Sequence, residues 1–157
     1  MKLSQRDRKR NGSGKLHRRH LPFYMKPTIL ISFVIISLVG QFTWALITTV
    51  YFRHVNPVWS SIGFALGIVL GYIHGRWTSR MWSRDYLRVL KREISFWDAK
   101  GATGTTAYVM IALGVPIFIG LFLKQSYSSL AGLQSYVFGF IGGMNYVLYS
   151  WVRRLPR

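Results

Sequence analysis

Four histidines, four acids and no cysteine are the side chains from which this 157-residue chain would have to build a metal site, a nucleophile or an acid–base pair. The absence of cysteine removes disulfides, thiolate metal sites, thiol nucleophiles and lipoprotein or palmitoyl anchors. His17 and His20 sit in a basic N-terminal leader, His54 in a short loop, and His74 beside Tyr72 and Arg76. A structural metal or haem site needs several converging ligands, so His74 reads as an interfacial anchor. No serine, histidine and acid are spaced for hydrolysis. Asp85, Glu93, Asp98 and His74 are the only side chains placed for an enzyme acting on a lipid-linked substrate. The fragment GSGK at Gly12 to Lys15 lacks the upstream glycine, the hydroxyl residue after Lys15 and the preceding strand of a phosphate loop. GATGTT at Gly101 to Thr106 has the small residues to cradle a phosphate, but reads better as a turn whose Thr103 or Thr105 caps the next helix. The expectation is therefore no catalytic residue, no cofactor and no metal.

What would position such groups is a set of apolar runs. Half the residues are hydrophobic, yet the net charge is +17, from 21 Lys and Arg against four acids. Bases and apolar residues are segregated along the chain, which is a membrane pattern and not a nucleic-acid-binding one. A helix needs about 20 apolar residues to cross a bilayer, and helices satisfy their own backbone groups in lipid. Four runs qualify, at about 27–52, 57–74, 105–123 and 130–152. The first is far longer than a signal-peptide core of roughly 7–15 residues and is read as a retained signal-anchor. The fold expected is all-α, a bundle of four transmembrane helices in two antiparallel hairpins, after a basic, disordered leader at 1–26.

Loop charge orients it. The leader, the segment 75–104 and the C-terminal tail hold 19 of the 21 bases, against two in the other loops. The positive-inside rule places that side, and with it both termini, in the cytoplasm.

Within the second run Gly63, Gly67, Gly71 and Gly75 recur every four residues, down one helical face. Small residues let helix backbones approach closely in lipid. The fourth run, with Gly139, Gly142 and Gly143, is the natural partner, although a contact between subunits fits the same pattern. Asn145 and Gln41 are expected to hydrogen-bond across helices, and Pro116 to kink the third. No Asp, Glu, Lys or Arg falls inside a run, which argues against a pump or proton-coupled carrier.

In the segment 75–104, Arg80, Arg84, Arg88, Lys91 and Arg92 form a basic stripe, and Asp85 has Arg84 and Arg88 beside it for a minor local pair. Trp82, Tyr86, Val89, Leu90, Ile94 and Trp97 recur on another side with the same period. The pattern predicts a cytoplasmic amphipathic helix lying on anionic lipid head groups. Nucleic acid is not an expected partner.

The stretch GYIHGRWTSRMWSRD, Gly71 to Asp85, resembles the junction motif of CcdC-like bacterial membrane proteins, in which a glycine-rich helix runs into arginines, a tryptophan and an acid. Gly75, Arg76, Thr78, Arg80, Trp82 and Asp85 carry the likeness, over about a tenth of the chain. The resemblance implies a small multi-helix membrane protein with a loose link to cytochrome c maturation, although this chain has neither a cysteine pair nor a haem-binding histidine pair. Together these features favour a non-enzymatic accessory subunit of the cytoplasmic membrane that binds lipid and either its own copies or another membrane protein. The alternatives are a small oligomeric channel, transporter or holin-like module, and an enzyme on a lipid-linked substrate.

Overall fold

The computed structural model describes Arg18 and residues 21–51, 57–122 and 127–156. Among these residues the chain is all-α: a short 3-10 turn, Phe23–Met25, then α1 (Pro27–Tyr51), α2 (Pro57–Leu90), α3 (Ala102–Phe122) and α4 (Tyr127–Arg153). Two of these, α1 and α2, are long and apolar enough to cross a membrane, and α3 contributes a shorter apolar stretch, Ala102–Pro116. Pro27 and Pro57 open α1 and α2, where a missing backbone donor costs nothing. The two short loops expected between helices lie outside the described residues, as does most of the leader.

Three differences from the sequence reading have physical causes. First, α2 does not stop near His74. It continues to Leu90 as one helix of 34 residues, about 51 Å at 1.5 Å per residue. No separate amphipathic helix forms, because Arg76 to Leu90 contains neither proline nor glycine and a change from apolar to charged does not break a helix. The stop comes at Arg92, whose φ of 55° is left-handed. Glu93 N–H reaches Arg88 O (2.9 Å) and Arg92 N–H reaches Val89 O (3.0 Å), the paired bonds of a Schellman cap with arginine where glycine is usual.

Second, the packing does not follow the hairpins. The most extensive contact is between α2 and α4, the pair the glycine pattern predicts, which run parallel, and the next is between α1 and α4, which run antiparallel. Helices joined by a short loop touch much less. Third, the end of the segment expected to be disordered packs onto the bundle. Leu21 and Met25 are buried in a cluster with Leu30, Tyr86, Leu148 and Val152, flanked by Trp82. Burying these apolar side chains offsets the cost of ordering the turn. Arg18 completes this end: its backbone N–H bonds Pro156 O, its Nε bonds Leu155 O at 3.0 Å, and Nη2 bonds Arg153 O. A cation on the last carbonyls of α4 also suits the helix dipole.

Glycines explain why α2 and α4 come so close. A Cβ added at Gly63, Gly67 or Gly71 would fall under 3.0 Å from the carbonyl oxygen of Gly132, Tyr136 or Phe140. At Gly75 it would meet Met144 O and Val147 Cβ at 2.9 Å. The relation is reciprocal, since Gly139 faces Phe64 O and Gly143 faces Ile68 O. Each helix thus lays bare backbone against the other. On the far side of α4, Gly40 of α1 packs on the Phe138 ring and Gly142 admits Ser37, whose hydroxyl bonds Phe138 O.

Candidate functional site

The side chains that could act on another molecule gather at one end of the bundle, along the last turns of α2. There α2 presents Arg76, Arg80, Arg84 and Arg88, all exposed, and the turn that follows presents exposed Lys91 and Arg92. The opposite face of the same stretch is not free. Tyr86 is buried against Leu21 and Met25, Trp82 is half-buried beside it with ring centroids 4.6 Å apart, and Met81 packs on Ala99 and Ala102. The aromatic face expected to enter lipid is therefore largely used in folding. Of the two tryptophans expected at a membrane surface, only Trp97 is substantially exposed, at 62%, and it lies in the turn beyond the helix, with Phe96 edge-on to it.

Asp85 holds this turn in place. Its side chain is buried, with Oδ2 accepting the Lys100 N–H at 2.7 Å and Oδ1 3.5 Å from the Arg88 guanidinium. The bond to Lys100 spans 15 residues and folds 91–101 back along α2. The local arginine pair expected of Asp85 is thus the lesser of its two interactions. The signal available in the sequence was its register, one turn after Met81 and next to Tyr86, on the buried face. Gly101 follows with φ +92°, a conformation that favours glycine. Helix α3 begins at once with Ala102, so Thr103 and Thr105 lie inside its first turn and do not cap it.

Two cavities open beside the basic ridge. One, about 320 Å³, lies between α2 and the start of α3 and is lined by Trp77, Arg80, Arg84 and Lys100 with Gly101 and Gly104. The other, about 450 Å³, is a cleft between α2 and α4, walled by Arg76, Arg80 and Arg154, with serine hydroxyls and aromatic rings between them. Arg80 lines both. Among the described residues the one ion pair is Arg88 with Asp85, so neither cavity has its cations balanced by a carboxylate. The chemistry available is recognition of an anion by guanidinium groups.

Deeper in the bundle the polar groups serve packing. Asn145 donates to Ile141 O of its own helix at 2.8 Å, and among the described residues no bond from it crosses to another helix. Gln41 Nε2 makes a long contact, 3.5 Å, with Ser60 Oγ, which in turn bonds Ser135. His74 is buried between the rings of Tyr108 and Phe140, 5.8 and 5.7 Å away, with Nε2 3.3 Å from Thr78 Oγ1. It lies inside the junction of α2, α3 and α4, not at an interface with solvent. Tyr108 and Tyr136 donate to Leu70 O and Ala112 O, and these two bonds tie α3 to its neighbours. Among the described residues no three His, Asp or Glu side chains come together. No protein-family model, curated protein or solved structure compared with the chain matches it.

Proposed function

We propose that the chain is a four-span protein of the bacterial cytoplasmic membrane, with both termini in the cytoplasm. In this reading it is a non-enzymatic accessory subunit, holding a partner against its outer helices and anionic lipid at its basic end. The observation that carries the proposal is the outer face of α1. Ile35, Ile36, Leu38, Val39 and Phe42 are each more than half exposed, and on α3 Met110 and Ile111 are exposed as well. A continuous apolar surface of this kind calls for lipid or another protein. The helix directions alternate along the chain, as four successive crossings require. The length of α2 supports the same reading: about 51 Å exceeds a hydrocarbon core of about 30 Å by some 20 Å, and the excess is where its arginines begin. The likeness of Gly71 to Asp85 to CcdC-like proteins adds the bacterial source.

In-cell crosslinking tests the accessory role. A photo-reactive residue in place of Ile36 or Phe42 is expected to give one discrete adduct, either with a second copy of the chain or with another membrane protein. Adducts with lipid alone, at both positions, would contradict it.

A further inference from the structure

We propose that the cleft between α2 and α4 is a binding site for the phosphate headgroup of one anionic phospholipid. The inference rests on the reading above, that this end of the bundle lies at the cytoplasmic face of a membrane, and it goes further: it assigns one discrete, saturable site where that reading needs only a diffuse basic surface.

Charge is the first argument. Arg76 and Arg80 of α2 and Arg154, just past the end of α4, line the cleft, and among the described residues none of them has a carboxylate partner. Three guanidinium groups around one concavity repel one another until an anion enters, and guanidinium forks fit phosphate oxygens. Arg76 is already oriented toward the cleft wall. Its Nη1 lies 3.3 Å from Tyr72 Oη one turn earlier, with the guanidinium 5.9 Å from the Tyr72 ring centre. The Arg80 and Arg154 guanidinium groups remain uncommitted among the described residues.

The walls are fixed by polar bonds that leave few donors to spare. Ser79 donates to Arg76 O at 3.0 Å and Ser83 to Ser79 O at 2.6 Å. Trp151 Nε1 then donates to Ser83 Oγ at 2.9 Å, clamping α4 to α2 and setting the width of the cleft. With these serine and indole donors committed, the free donors facing the cleft are guanidinium N–H groups, and a ligand that suits them brings acceptors, as a phosphate does. The close parallel α2–α4 contact along Gly67, Gly71 and Gly75 leads directly to this opening.

Shape and apolar lining select a lipid over a free anion. The cleft holds about 450 Å³, in the ~300–1,000 Å³ range of small-molecule sites and more than a bare phosphate fills. Tyr72, Tyr146 and Val147 give it an apolar side suited to a glycerol backbone and the first methylenes of an acyl chain. Tyrosine and tryptophan are the residues favoured at headgroup depth, and basic pockets between helices on the cytoplasmic side are a recurrent way to hold phosphate-bearing headgroups.

A lipid titration of the purified full-length protein in neutral detergent, with bound lipids counted by native mass spectrometry, tests the site. The probes are phosphatidylglycerol, phosphatidylcholine with the same acyl chains, and soluble glycerol phosphate and inorganic phosphate as competitors. The wild type is expected to take up one phosphatidylglycerol saturably and to prefer it to phosphatidylcholine, and millimolar soluble phosphates should not displace it. Arg80→Gln with Arg154→Gln should weaken uptake on the order of thirtyfold, from two lost bases near the headgroup. Lys91→Gln with Arg92→Gln, which removes the same charge outside the cleft, should weaken it far less, through the screened general field alone. If the cleft pair does not fold, Arg154→Gln alone carries the comparison. Equal losses from both pairs would overturn the cleft while leaving a basic lipid-facing surface intact. Displacement by glycerol phosphate would overturn the lipid assignment, and no preference for phosphatidylglycerol in the wild type would overturn both the site and the surface reading.

Discussion

Adding a single methyl group at Gly67 should separate α2 from α4. A Cβ there would lie 2.8 Å from Phe140 N, closer still to Tyr136 O, where ordinary contact begins at 3.4 Å. Both obstacles are backbone atoms, so no rotamer change relieves the overlap and the helices must part by more than half an ångström. Overpacking of this kind costs about 1–3 kcal/mol, and a rigid obstacle argues for the upper end. Alanine recovers about 1 kcal/mol of helix propensity over glycine, leaving a net loss near 2 kcal/mol. At about 2–4 °C per kcal/mol for a chain of this size, Gly67→Ala should melt roughly 4–8 °C below the wild type in mild detergent. Gly114→Ala is the control, because nothing lies within 4 Å of a Cβ built there. It keeps the propensity gain and should melt about 2–4 °C higher. Melting of Gly67→Ala at or above the level of Gly114→Ala would refute the claim that bare backbone contact holds the bundle together.

Asp85→Ala should release the turn at 91–101, and amide exchange at Lys100 should quicken by roughly ten- to a hundredfold, as expected for a charged hydrogen bond worth about 1.5–3 kcal/mol. Asp85→Asn, which keeps an acceptor, should sit between the two. Arg92→Gly should raise stability by about 1 kcal/mol by relieving the left-handed φ of the α2 cap, read as a rise in melting temperature. Tyr108→Phe with Tyr136→Phe should loosen α3 while leaving the α2–α4 pair intact, seen as faster exchange or proteolysis confined to α3; uniform destabilisation would mean that α3 is held by other contacts.

Sequence carries periodicities well and reach poorly. Long uncharged runs with no strand alternation are enough to read an all-α chain. A glycine every four residues is visible from Gly63 to Gly75, yet the letters do not say that the carbonyls of Gly132, Tyr136, Phe140 and Met144 fill the space. The continuation of α2 past His74 was hidden by a change in polarity that mimics a helix end. Its true stop at Arg92 carries no glycine to announce it, since hydrogen bonds to Arg88 O and Val89 O enforce the turn instead. The Asp85 bond to the Lys100 amide and the Arg18 bonds to the end of α4 join residues far apart in the chain, and no local pattern encodes such partners. The cleft of Arg76, Arg80 and Arg154 was invisible for the same reason: Arg154 belongs to the tail, and only the parallel course of α2 and α4 brings it beside the other two.

Topology mapping tests the central claim most directly. A reporter active only in the cytoplasm, inserted near Lys100 or fused after Arg157, should be active, and the same reporter inserted near Asn56 or Ser126 should be silent. Activity at Asn56 would contradict the four-span account, because α1 and α2 could not then both cross the membrane.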